Sequence, residues 1–315
     1  MKKITVNENV SISEIIFGGT KRGTPEADAL QFAIMDRFYE AGGTTFDTAR
    51  VYGNGECDKS LGEWMKTRGI KRDTVTTCLK GSHPERNTMF VSRLSPDEIV
   101  KDIDDSLRDV GIDYTDIYIL HRDDIRLPVN DIMYTLDKQV KAGKIGAIGT
   151  SNWTAGRINA ANIFAKENGL TPFSISQTSF SLAQTTAMLI KDITQVPMND
   201  IEFGWYKETG MPVMCFGAIS NGFFSRYASG KEQRPGVLAK YGYLPENWRR
   251  AERVKQLALE IGQPVAAVLA AYVRDCGING AALCGFSDMS QLEEALLATT
   301  FTLTCDQIRF LRDTL

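Results

Sequence analysis

The chain has 315 residues, 43% of them hydrophobic and 24% charged. That composition excludes an intrinsically disordered chain, a collagen and a small disulfide scaffold. The 36 basic and 39 acidic side chains leave a formal net charge of −3, without the basic stripe of a nucleic-acid binder.

No run of about 18 apolar residues appears, so no membrane-spanning helix is expected. Lys2 and Lys3 open the chain as a signal peptide would. Asn7, Glu8 and Asn9 then deny it an apolar core, and a cytoplasmic protein is the expectation. Cys57, Cys78, Cys215, Cys276, Cys284 and Cys305 form no C-x-x-C pair and are expected as reduced, mostly buried thiols.

Ile4, Val6, Val10 and Ile12 flank Asn7-Glu8-Asn9, which predicts a small hairpin. Eight short β-rich runs follow at 14–17, 44–46, 75–78, 115–120, 145–149, 173–177, 212–216 and 281–284. Most lack polar alternation, as strands covered on both faces do. Helical patterns separate them. Thr24-Pro25 starts one that stops at Gly42-Gly43. Ser95 and Glu98 form a capping box, with Glu98 expected to reach back to the Ser95 N–H. Behind it Ile99, Ile103, Leu107 and Val110 make one apolar stripe, with Asp102 off it. Thr154 caps 155–168, helices follow near 249–262 and 264–275, and Asp288/Gln291 and Thr304/Gln307 are further capping pairs. Residues 82–94 and 223–247 lack strong periodicity and read as long loops over a site.

Eight β/α alternations predict a (β/α)₈ barrel spanning 1–315 as one domain, with the hairpin capping its bottom. A doubly wound sheet is the rival, but the first turn, Gly18-Gly19-Thr20-Lys21-Arg22-Gly23, lacks the third glycine of a G-x-G-x-x-G loop.

Barrel chemistry sits at the C-terminal strand ends. Asp47 follows the second run, Tyr52 lies in the same loop, Lys80 follows the third run and His121 the fourth. Taken singly, these are a turn cap, a rim aromatic, a solvated lysine and a structural histidine. Together they make chemical sense. A nearby ammonium favours a phenolate, a carboxylate keeps that lysine charged, and an imidazole donates to a carbonyl oxygen. Hydride transfer needs a cofactor, because no side chain supplies hydride.

The string Phe46-Asp47-Thr48-Ala49-Arg50-Val51-Tyr52-Gly53, with Lys80 and His121, resembles the aldo-keto reductase superfamily over essentially the whole chain. The resemblance implies an NAD(P)H-dependent carbonyl reductase interconverting an aldehyde, ketone or sugar-like compound and its alcohol. It makes Tyr52 the general acid/base, tuned by Lys80 and Asp47, with His121 orienting the carbonyl. It further implies that Ser151, Asn152 and Gln177 hold the nicotinamide carboxamide and Phe216 stacks on the ring. Gly19, Thr20 and Asp47 also fall along the cofactor by this resemblance, as do Gly217, Ile219 and Gly222, with Arg226 or Lys231 near the pyrophosphate.

After the eighth run the chain departs from the family's basic loop. Leu283 to Gln291 contains no lysine or arginine, Gln291 stands where an arginine is frequent, and Asp288 is acidic. Ser287 remains to meet a phosphate. NADP(H) is therefore favoured only as the family default, with NAD(H) open. Lys21, Arg50, Arg122 and Trp153 are candidate substrate contacts, suited to a polar or anionic carbonyl compound. No metal site is expected, since His83 and His121 are the only histidines. The alternatives are a cofactor-sensing regulatory barrel and a barrel lyase or isomerase without net redox. The expected partner is a small molecule, with neither nucleic acid nor membrane.

Overall fold

The computed structural model describes residues 1–19 and 24–312. Its centre is a closed parallel barrel of the eight expected strands. In chain order these are β3 (Ile15–Gly18), β4 (Thr45–Asp47), β5 (Thr76–Gly81), β6 (Thr115–Leu120), β7 (Ile145–Ser151), β8 (Ile175–Ser179), β9 (Val213–Phe216) and β10 (Gly280–Cys284). β10 closes on β3 through Ala282 beside Ile15 and Cys284 beside Phe17. The preceding strands β1 (Lys3–Thr5) and β2 (Ser11–Ser13) form the expected antiparallel hairpin.

Side chains alternate along a strand, so residues two apart share a face. The inward set is apolar: Ile16, Cys78, Ile117 and Ile119, Ala147, Ile175, Met214 and Ala281. Val6, Val10 and Ile12 of the hairpin join this cluster, and so close the barrel floor. Continuing each strand by the same period of two brings Lys80, His121, Ser151, Gln177, Phe216 and Leu283 to the opposite end. The polar layer is thus the top of the inward column.

The outward faces pack on helices. α1 (Pro25–Glu40), α2 (Glu56–Arg68), α3 (Pro96–Val110), α4 (Val129–Lys141), α5 (Ala155–Glu167) and α6 (Asp200–Thr209) each follow a strand. Between β3–β4 and α1–α2 the rings of Phe17, Phe38, Phe46 and Trp64 interlock, with centroids 5.5 Å, 5.4 Å and 4.7 Å apart along that order. Gly62 lets α2 meet α3 closely, since a Cβ there would stand 2.1 Å from the Val110 carbonyl oxygen.

The predicted caps form. Thr24, Thr154 and Asp288 accept from Ala27, Arg157 and Gln291 amides. Thr304 and Gln307 exchange both bonds of a capping box. Ser95 departs in part: it accepts from the Glu98 amide, but its hydroxyl donates to the Glu98 carboxylate, so Glu98 does not reach the Ser95 N–H. Asp102, off the apolar stripe, is nevertheless buried. It accepts from the Ser82 amide at 2.7 Å and pairs with Arg93 at 2.7 Å.

The stretch 223–247 is not a loop. It folds into α7 (Phe223–Ala228), α8 (Pro235–Val237), a wide turn over Leu238–Gly242 and the start of α9 (Pro245–Glu260). Its order comes from buried Phe223, Phe224 and Tyr241, a packing signal too short to show as periodicity. α10 (Val265–Asp275), α11 (Met289–Leu296) and α12 (Cys305–Arg312) complete the chain. Five cysteines are buried and free, and Cys305 is exposed. Among the described residues no single helix is long and apolar enough to cross a membrane.

Candidate active site

The tetrad converges. Asp47 ends β4, Lys80 lies inside β5, His121 is one residue beyond β6, and Tyr52 opens a short turn before α2. Lys80 is 0% exposed and donates from Nζ to Asp47 Oδ2. Asp47 Oδ1 accepts from Gln177 Nε2 at 2.8 Å. The Lys80 ammonium stands 4.9 Å from the Tyr52 ring centroid. Burial opposes that charge, but Asp47 and Tyr52 hold the lysine above its ordinary range, so it stays cationic. A buried ammonium persists only when paired in this way.

Tyr52 shows one difference from expectation. Burial is the largest influence on its hydroxyl and raises its pKa, while the charge and hydrogen bond of Lys80 work the other way. Low dielectric penalises the phenolate more than one ammonium, itself balanced by Asp47, favours it. Tyr52 therefore holds its proton at neutral pH.

The His121 ring meets Tyr52 edge-on, 5.6 Å between centroids, and a second imidazole, His83, lies 4.8 Å away. Burial, then the charges of Lys80 and Arg122, push the His121 pKa well below its ordinary value, so it is neutral. Its buried Nδ1 has no hydrogen-bond partner among the described residues. An unpaired buried polar atom is costly and marks an interaction left open.

Tyr52, His83 and His121 line a cavity of about 710 Å³, with Ser151, Asn152, Gln177 and Phe216 also in its wall, while the Lys80–Asp47 pair is buried and does not line it. Asn152 holds a left-handed φ of 61° and bonds the Ser151 hydroxyl, the His121 carbonyl and the Val196 amide. The other non-glycine left-handed residues described, Asn54, Ser82, Ser220 and Asn221, also lie in loops after strands at this end. Strain of this kind gathers at functional sites.

A second cavity of about 440 Å³ shares Leu283 with the first. It brings together Gly217, Ile219, Gly222, Ser287 and Gln291, and adds Arg226 and Arg234. Gln291 is used internally, accepting from the Ser287 amide at 3.0 Å and donating to Asp288 at 2.8 Å. Gly19 sits atop β3 with φ 60°, its amide bonded to the Asp47 carbonyl at 2.8 Å. Thr20 and Lys21 lie outside the described residues.

Of the expected substrate contacts, Arg50 and Trp153 are not among the residues lining the main cavity, whereas Arg122 is. Arg50 pairs with Asp109 and lines an adjoining cavity that shares Val51, His83 and Arg86 with the main one. Trp153 is 1% exposed, buried against Phe173 and bonded to the Arg122 carbonyl, so it packs beneath the site. Arg122 reaches the cavity, but as half of an ion pair with Asp192 at 2.8 Å, while also holding the His121 carbonyl. Each cation found a carboxylate distant in sequence. The residues the sequence did not single out are His83, Arg86, Met89 and Phe90 from 82–94, and Lys191 and Ile193 from the β8–α6 connection. The length of that connection, from Ser179 to Asp200, was the available signal.

The chain is similar to known proteins in sequence and in shape. The profile of the Aldo/keto reductase family matches residues 14–314. An aryl-alcohol dehydrogenase of Pestalotiopsis microspora is 26% identical over 309 residues, 95% of this chain and 75% of that protein. A norsolorinic acid reductase of Aspergillus flavus is 28% identical over 299 residues, 90% of this chain and 71% of that protein. A crystal structure of a thermostable aldo-keto reductase with the inhibitor epalrestat superposes with a TM-score of 0.77 at 16% identity, covering 99% of both chains. The chain belongs to the aldo/keto reductase family, whose members are NAD(P)H-dependent oxidoreductases of carbonyl and alcohol groups.

Proposed function

We propose that this protein reduces an aldehyde or ketone to its alcohol, with Tyr52 as the proton donor and NADPH as the favoured reductant. The observation that supports it most is that Tyr52 and His121 share one cavity with Ser151, Asn152, Gln177 and Phe216, with the buried Lys80–Asp47 pair against the Tyr52 ring. A nicotinamide dinucleotide fits the residues present. The amide and hydroxyl of Asn152, Gln177 and Ser151 suit a carboxamide, and the Phe216 face suits the ring. The adjoining cavity with Gly217, Gly222, Arg226 and Arg234 suits the phosphates. When bound, the nicotinamide supplies the hydride.

The protein's own part is the proton and the charge. A carbonyl oxygen gains negative charge as it is reduced. Neutral His121 can donate one hydrogen bond to it, and protonated Tyr52 delivers the proton. Lys80, kept cationic by Asp47, stabilises the phenolate that remains. In oxidation of the alcohol the same groups act in reverse.

NADPH over NADH rests on Arg234. It is exposed, lines the second cavity and has no partner among the described residues. It offers the cation that the loop after β10 lacks. Titrating the protein with NADPH and NADH by tryptophan fluorescence tests this, with Arg234→Ala expected to weaken NADPH alone by about tenfold. Failure of both to bind folded protein would overturn the cofactor assignment. Tyr52→Phe is expected to bind cofactor normally and to lose carbonyl reduction by at least ~100-fold. Retained turnover would remove Tyr52 from its role.

A further inference from the structure

The cavity is lined by more than Tyr52, His121 and the candidate nicotinamide wall. Most of its remaining lining comes from two connections, 82–94 and the one between β8 and α6. They contribute Met89, Phe90 and Ile193 as apolar surface and Arg86 and Lys191 as cations. Phe90 is 75% exposed and Ile193 66%. Large apolar side chains left open at a cavity mouth mark a surface that a ligand covers.

The charge here is one-sided. The lining contains three cations, Arg86, Arg122 and Lys191, against one carboxylate, Asp192. Arg122 already takes Asp192, which also accepts from the Thr194 hydroxyl and the Gln195 amide, and its pKa is lowered to about 2. Glu85, beside Arg86, faces Arg93 at 3.8 Å. Arg86 and Lys191 are exposed and have no ion-pair partner among the described residues. Two uncompensated cations thus frame one cavity of a protein whose net charge is −3.

The backbone that carries them is held in place. Arg93 bonds the His83 carbonyl and Arg126 the Phe90 carbonyl, at 3.4 Å and 3.2 Å. The Arg122–Asp192 pair fixes the segment next to Lys191. A charge presented on a fixed segment costs less to order around a ligand.

We propose that the substrate is an aromatic aldehyde or ketone bearing a carboxylate on the side of the ring away from the carbonyl. The carbonyl meets Tyr52 and His121, the ring lies against Met89, Phe90 and Ile193, and the carboxylate pairs with Arg86 and Lys191. This rests on the reductase reading for its chemistry, but the anion site is tested separately from it. It also moves the basis of anion preference from Arg50 and Arg122, which are paired, to two residues that are not.

The test compares para-formylbenzoate with its methyl ester, which keeps the ring and the aldehyde but loses the charge. Two readouts are used: the kcat/KM ratio of the pair with NADPH or NADH, and calorimetric affinity for the protein alone. The acid is expected to be favoured by about tenfold, the size of a pair of charge-assisted contacts at a partly exposed site. Arg86→Ala with Lys191→Ala is expected to remove that ratio, and raising salt to shrink it. Arg86→Lys should restore much of it, and Lys166→Ala, which deletes an exposed cation on α5, should leave it intact. Equal handling of acid and ester, or a ratio unmoved by the double variant, would overturn the anion site. Preferential binding of the acid with no reduction of either compound would keep the anion site and overturn the reductase reading. Failure to bind or reduce either would overturn both.

Discussion

Lys80→Met tests whether the buried ion pair is a unit. Lys80 is 0% exposed and Asp47 3%. Removing the ammonium leaves the carboxylate in the barrel top with the Gln177 amide at 2.8 Å as its remaining donor. Breaking a buried pair by deleting one partner costs about 3–5 kcal/mol, because the other charge stays desolvated. Replacing both partners with uncharged groups of similar size is close to neutral. Asp47→Asn with Lys80→Met should therefore regain most of the loss and stand within ~1 kcal/mol of the parent. Urea unfolding at pH 7, followed by tryptophan fluorescence, measures all members of the cycle. Buried Trp64 and Trp153 report the collapse of the core. Catalysis should not follow stability. Both the single and the double variant lose the cation that supports Tyr52, so turnover should fall by at least ~100-fold in each. A double variant no more stable than Lys80→Met would refute the reasoning, since the penalty would then not come from an unpaired charge.

Asp58 provides a pH-dependent test. Burial pushes its carboxyl up to about 6, although Ser106 and Thr48 hydroxyls donate to it. The folded state then binds this proton more tightly than the unfolded chain, whose carboxyl titrates near ~3.9. The penalty for ionising it is absent at pH 3, grows between pH 4 and 6, and is constant above. Asp58→Asn should gain stability over the parent across that window, by about 2 kcal/mol at pH 7 relative to pH 4. A difference in melting temperature that does not change with pH would contradict it. Gly62→Ala should cost at least ~2 kcal/mol in urea unfolding, because its Cβ meets the Val110 carbonyl, a backbone atom of α3 that cannot rotate away. A cost below ~0.5 kcal/mol would mean that α2 and α3 slide apart freely.

Much of this molecule was legible along the chain. Hydrophobic runs, caps and glycine stops are local signals, and they placed all eight barrel strands, the hairpin and most helices. The tetrad was legible because strand ends map to one face of a barrel, so Asp47, Lys80 and His121 had to converge once the strands were right. Other residues depend on contacts that are distant in sequence. Arg50, Arg122 and Trp153 sit at the correct end in sequence, but Asp109, Asp192 and Phe173 decide what they do. The balance that keeps Tyr52 protonated depends on how deeply packing buries it. Arg86, Phe90, Lys191 and Ile193 come from connections without periodicity, and only the folded chain sets them around one cavity. The barrel and the convergence of Asp47, Tyr52, Lys80 and His121 were readable in the sequence, since both follow from patterns a few residues long. Only the folded chain shows which charges are paired within the fold and which line the cavity without an ion-pair partner among the described residues. Ion pairing and burial are settled between residues far apart along the chain.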